Sequence, residues 1–317
     1  MVSILTASRT NLQTHYTMLE ITIDGQEVAL SEELIQTITN LAKVKAWINR
    51  PGKVVLHTHV NVDADAAFSA ALMLLMRRED VELEFLPTDA TVDAEDALAV
   101  DMMNGNSAIK GIETGPAFGE LVSLLVEANL IPKRLYKKMA LQLNLTDSGK
   151  RCNDRITLAG LVKSWKYAGL EDRDIVSRAH EILLGMRKGW SAHGRRLVKC
   201  TSMPIQDGIA LNLTGGGLDR RTLARRGAYL VINQHDDVGQ SVVLTKLGSR
   251  TKLDLNDLED ALPDSWFIHP GGFIACFGSM KAKKDPSKSG ISLEELCKAV
   301  RDWLVATLGF APEEVLV

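Results

Sequence analysis

Cysteine is scarce in this 317-residue chain. The four present, Cys152, Cys200, Cys276 and Cys297, are far apart and never form a C-x-x-C pair. That excludes a zinc ribbon and a disulfide framework, and it fits free thiols in a reducing cytoplasm. No apolar run reaches the ~18 residues of a membrane span. No charged segment followed by an apolar core stands at the N-terminus, so the expected location is cytoplasmic and off the membrane. Basic charge is not in excess either: 37 Lys and Arg face 40 Asp and Glu, for a net charge of −3. A protein coated for duplex DNA is thereby disfavoured. Aromatics make up 5%, and the five tryptophans stand singly, with no stacking platform for single strands. Ser148-Gly149-Lys150 lacks the earlier glycine of a P-loop, and no G-x-S-x-G elbow occurs.

What is there reads as an α/β protein. Residues 19–30 alternate around Asp24-Gly25, a hairpin signal. Ser31 offers an N-cap to a helix that runs to about Asn49. Val54-Val55-Leu56 is a short apolar run typical of a buried parallel strand. A helix follows over Asp65–Arg78, then strands over Val81–Leu86 and Ala97–Val100. From Phe118 to about Arg187 the spacing is helical. Beyond about Trp190 short strands reappear, and Ser292 with Glu295 forms a capping box for a last helix over Leu293–Leu308. The expected division is an N-terminal hairpin and helix over 1–50, a parallel-sheet domain over 51–190 and a smaller α/β domain over 191–317.

The segment that carries chemistry is VVLHTHVNVDADAAFSAALMLL, residues 54–75. An apolar strand ends in His57, His59, Asn61, Asp63 and Asp65, and a small-residue helix begins at once. Alternate residues of an extended segment point the same way. His59, Asn61, Asp63 and Asp65 therefore gather at the carboxyl end of a strand, where open α/β sheets bind ligands. Imidazole with carboxylates suits a divalent ion such as Mn²⁺ or Mg²⁺. The plainer alternative is that Asp63 and Asp65 cap the helix.

HVNVDADAAFSAAL resembles the first motif of the DHH phosphoesterase superfamily, usually H-x-N-P-D-x-D-A-x-G-S, with Val62 and Phe68 in place of Pro and Gly. ALAVD, ending in Asp101, is similar to the second motif, and Thr146-Asp147-Ser148-Gly149 to the fourth. Trp266–Phe273 with Gly278-Ser279 resembles the substrate loop of the accessory domain. The resemblance implies a DHH-like parallel-sheet catalytic domain with a second, smaller α/β domain. It implies Mn²⁺ (or Mg²⁺) on His59, Asp63, Asp65, Asp101 and Asp147, with catalysis centred on the first four. Asn61, His269, Gly271 and Gly272 would contact substrate, the paired glycines offering N–H groups to an anion.

The family's Asp-His-His triplet is missing; Lys110, Gly111 and Glu113 stand near its place. His57 is one candidate to compensate. The expected site has one position on His59, Asp63 and Asp101 and a weaker second near Asp65 and Asp147. The activity implied is hydrolysis of phosphodiester or phosphoanhydride bonds in a phosphorylated small molecule, nucleotide or short oligonucleotide. The alternative is a degenerate member that binds a nucleotide or nucleic acid without cleaving it. Oligomeric state has no sequence signature, and a homodimer stays open.

Overall fold

A computed structural model describes residues 3–5, 19–23, 26–77, 80–109, 115–150 and 156–309. The chain forms two compact units, Met1–Lys188 and Gly189–Val317.

In the first unit, β1 (Ser3–Leu5) pairs antiparallel with β2 (Leu19–Ile23), which forms a hairpin with β3 (Gln26–Leu30). Ser31 caps α1 (Glu32–Asn49) by accepting from the Leu34 N–H. A four-stranded parallel sheet follows in the order β5-β4-β6-β7. Its strands are β4 (Val54–His59), β5 (Val81–Leu86), β6 (Ala97–Val100) and β7 (Ala108–Ile109). Between β4 and β5 lies α2 (Ala64–Met76), whose residues from Ala64 to Met73 are all buried. A helix apolar on every side belongs in the middle of a fold. It packs there with Val54 and Leu56 and with the helices α3 (Ala117–Glu127), α4 (Lys137–Asp147) and α5 (Leu158–Tyr167). Phe68 meets Phe118 edge-on at 6.3 Å between centroids.

Helix α1, expected as part of a separate 1–50 segment, belongs to this same core, in which its Val44 and Trp47 are buried. The Trp47 indole also donates to the Val55 carbonyl at 2.9 Å. A tight point lies after β6. Gly105 has φ +103°, and a Cβ there would overlap the Val92 backbone. Gly105→Ala is expected to cost about 1–3 kcal/mol, read as a lower urea midpoint.

The two units meet between Lys188 and Gly189, within two residues of the expected division. The change of texture near Trp190 falls inside one helix, α6 (Asp172–Ser202), which ends the first unit and opens the second. Gly185, Gly189 and Gly194 interrupt its pattern, yet a Cβ at each would meet nothing within 4 Å. They lower helix propensity without breaking the helix.

The second unit is a mixed six-stranded sheet in the order β12-β13-β11-β10-β9-β8. Its members are β8 (Ile205–Gln206), β9 (Ile209–Asn212), β10 (Leu230–His235), β11 (Gly239–Leu244), β12 (Phe267–Ile268) and β13 (Ile274–Phe277). Strand β9 runs parallel to β10 through α7 (Arg220–Arg225); β10 and β11 form a hairpin closed at His235 and Gly239. After α8 (Lys246–Arg250) and a 3-10 segment (Leu255–Ala261), the unit ends in α9 (Leu293–Leu308), with the capping box in place. Leu296, Val300 and Leu304 of α9 share a core with Leu230, Ile232 and Val242.

Candidate metal centre

Strand β4 buries Val54, Leu56 and Thr58 on one face and turns His57 and His59 to the other. After His59 the chain must reverse into α2 within four residues. Asn61 makes this possible with φ +58°, a left-handed conformation that Asn tolerates better than most residues. Val62 is fully buried, and Asp63 caps α2 by accepting from the Ala66 N–H at 3.0 Å.

Two distant side chains fix the turn. The Asp172 carboxylate, in the first turn of α6, accepts from the N–H groups of Asn61 at 2.7 Å and Val62 at 3.0 Å. The Lys166 ammonium, near the end of α5, donates to the Asn61 carbonyl at 3.0 Å and its side-chain oxygen at 2.7 Å. Asn61 is thus anchored by its own fold rather than left open to a substrate through that oxygen.

His59 donates from Nδ1 to the Val60 carbonyl at 2.9 Å, which leaves Nε2 facing outward. Nε2 lies 3.3 Å from Asp101 Oδ2. That bond is the main reason the imidazole is held up at about 9. Asp101 follows β6 at φ +55°, its N–H bound to the Ile109 carbonyl. Among the described residues, His59, Asp63 and Asp101 form the one group of potential metal ligands, their ligating atoms all within 4.8 Å of one another.

The other expected ligands are placed differently. Asp65 is buried, and its carboxylate accepts from the N–H groups of Ala117 at 2.6 Å and Phe118 at 2.8 Å. It caps α3, whose preceding residue Pro116 supplies no side-chain cap. Burial pushes its carboxyl up to about 7, with the Asp101 charge adding to the effect. Both aspartates thus accept backbone N–H groups, Asp63 at α2 and Asp65 at α3, and Asp65 is not part of the three-residue group. Asp147 is exposed at the end of α4; partial burial first, then the charges of Asp101 and Asp63, raise its carboxyl. It faces the centre electrostatically without joining it. His57 does not compensate either: its Nδ1 lies 3.4 Å from Glu84 on β5, and burial lowers its pKa. Lys110, Gly111 and Glu113 lie outside the described residues.

In the second unit, His269, Gly271 and Gly272 form the tight turn between β12 and β13. Gly271 donates to His269 Nδ1 at 3.0 Å and Gly272 to the His269 carbonyl at 2.7 Å. The N–H groups expected to receive an anion are spent inside the turn. The paired glycines are needed for sterics: Gly272 has φ +59°, and a Cβ there would collide with the Asp254 carboxylate.

Neither a protein-family model nor a curated protein matches the chain. Solved structures do. The pGpG-specific phosphodiesterase PggH from Vibrio cholerae shares 10% identity over 81% of this chain and 99% of its own, at a TM-score of 0.26. RecJ from Thermus thermophilus, in complex with Mg²⁺, shares 11% over 86% of this chain and 52% of its own, at 0.29. An exopolyphosphatase-related protein from Bacteroides fragilis shares 12% over 86% and 98%, at 0.25. At such scores the likeness settles neither family nor activity, and the site stands on its geometry. No helix among the described residues is long and apolar enough to cross a membrane.

Lys166 and Asp172 carry no signal in the sequence; both are ordinary charged residues of helical segments more than a hundred positions from the turn. Asp172→Ala is expected to weaken Mn²⁺ binding about 10–100-fold, the usual cost of losing a residue that orients ligands. Calorimetry on the variant reads this directly; unchanged affinity would show that the turn holds its shape unaided.

Proposed function

We propose that this protein is a metal-dependent hydrolase of phosphodiester or phosphoanhydride bonds, acting on nucleotides or short oligonucleotides. The observation that carries the reading is the convergence of His59, Asp63 and Asp101 within 4.8 Å at the carboxyl ends of neighbouring parallel strands. One imidazole and two carboxylates fit Mn²⁺ or Mg²⁺. A divalent ion there would polarise a phosphoryl group and make water acidic enough to attack near neutral pH. The chain's own part is positional. The bond from His59 to Val60 aims Nε2, the cap on α2 fixes Asp63, and the left-handed backbone at residue 101 turns that carboxylate toward both.

A second reading is supported by Asp65. With that carboxylate committed to α3, the described residues offer ligands for one ion, and a nucleotide or short nucleic acid could be held without being cleaved. Titration with Mn²⁺, followed by calorimetry and by turnover of a dinucleotide and of pyrophosphate, separates the two. One saturable site with metal-dependent turnover is the expected result. One site with substrate binding but no turnover would establish the binder. No Mn²⁺ uptake at millimolar concentration would remove both metal-based readings.

A further inference from the structure

The second unit contains a cavity of about 570 Å³, within the range of small-molecule sites, and none of residues 269–272 lines it. Its floor is a row of paired residues across four neighbouring strands: Asn212 on β9, Asn233 on β10, Ser241 on β11 and Cys276 on β13. Three of them continue a chain of hydrogen bonds that begins at a charge. Lys199 Nζ donates to Asn212 Oδ1 at 2.7 Å, Asn212 Nδ2 to Asn233 Oδ1 at 2.9 Å, and Asn233 Nδ2 to Ser241 Oγ at 3.2 Å. Every link donates in the same direction, so polarisation accumulates along the row. The row ends on the Ser241 hydroxyl, whose hydrogen has no acceptor among the hydrogen bonds of the described residues.

The walls add more donors. His235 accepts at Nδ1 from the Asp237 N–H at 3.2 Å, so the neutral ring carries its hydrogen on Nε2. That edge abuts Gly215, where a Cβ would collide with the ring. Gly215 and Gly216 have φ of +65° and +78°. Among the hydrogen bonds of the described residues, none uses the N–H of Gly215, Gly216 or Gly217. Lys283 also lines the cavity; among the described residues, Asp237 is the only acidic group on its wall. An unfilled set of donors this large calls for an acceptor-rich guest. A carboxylate has two oxygens and about four lone-pair sites, fewer than the donors here. A phosphate brings three strong acceptor oxygens to one point.

We propose that this cavity is a second binding site, for a phosphate-bearing small molecule of mononucleotide size, with its phosphate against Ser241, His235 and the 215–217 loop. The site shares no residue with the metal centre and does not rest on the activity proposed above. The test is calorimetric titration of the full chain in EDTA with adenosine 5′-monophosphate, inorganic phosphate, adenosine and acetate. The monophosphate and phosphate are expected to bind saturably with one site, while adenosine and acetate do not. Ser241→Ala should weaken the monophosphate at least about 10-fold, as loss of a charge-assisted bond does. Asp63→Asn should leave it unchanged. If near-ultraviolet circular dichroism shows that Ser241→Ala fails to fold, His235→Gln takes its place in the comparison. Three outcomes overturn the proposal: no saturable binding of either phosphate probe at millimolar concentration, affinity unaltered by the Ser241 or His235 change, or binding lost in Asp63→Asn. The last would put the ligand at the metal centre instead.

Discussion

Asp101→Asn is expected to abolish Mn²⁺ uptake and to lower turnover by at least about 10³-fold, because the several kcal/mol of charge stabilisation a bound ion supplies is lost with it. The replacement is nearly isosteric, and Asn tolerates the left-handed backbone found at this position. Folding should therefore be preserved. In EDTA near neutral pH stability should fall slightly, since the carboxylate that holds the His59 imidazole up at about 9 is lost, which outweighs the relief of its repulsion from Asp63. Calorimetry, turnover and a urea titration on one preparation give all three values. Wild-type turnover in this variant would remove the metal-centre reading altogether.

Asp65→Ala is expected to act on folding far more than on metal uptake. Its carboxylate satisfies two backbone N–H groups at the start of α3 in a buried setting. Each orphaned donor costs about 1–3 kcal/mol, so a loss of about 3 kcal/mol in folding stability is expected. Asp65→Asn keeps one acceptor and should lose roughly half of that. Were Asp65 instead a ligand with no structural partner, removing it would relieve its repulsion from Asp101 and stabilise the metal-free protein. A urea midpoint that rises in Asp65→Ala would therefore return Asp65 to the ligand set. Asp63→Ala gives the contrast: loss of a single exposed cap, about 1 kcal/mol, with loss of metal binding.

These two aspartates show where sequence is informative. Segment 54–75 displays its chemistry because strand, turn and helix are contiguous, and local rules of alternation and capping govern all three. The same locality makes β5, β6 and α9 readable, down to the capping box at Ser292 and Glu295. What Asp65 binds lies 52 residues further on, and what binds Asn61 lies 105 and 111 residues away. No periodicity relates such positions; only tertiary packing does. Gly271 and Gly272 mislead for a related reason. A glycine pair signals that backbone must approach something closely, and here that something is the protein's own Asp254 and His269. The row from Lys199 to Ser241 is equally silent, since strand pairing alone brings its members together.

Asn61 and Asp101, at the two strand ends that build the centre, both occupy left-handed backbone that glycine enters at lower cost by about 1 kcal/mol. At 61 that gain is offset, because Gly would lose the bond from Lys166 to the Asn61 side chain. At 101 Gly would relieve the backbone but remove both the carboxylate that joins the metal-ligand group and the partner of His59, so the protein could not take up the ion. An engineer hardening this fold would have to hold both positions fixed and seek the gain elsewhere, for instance at Gly185, Gly189 and Gly194 of α6, where a side chain has open space.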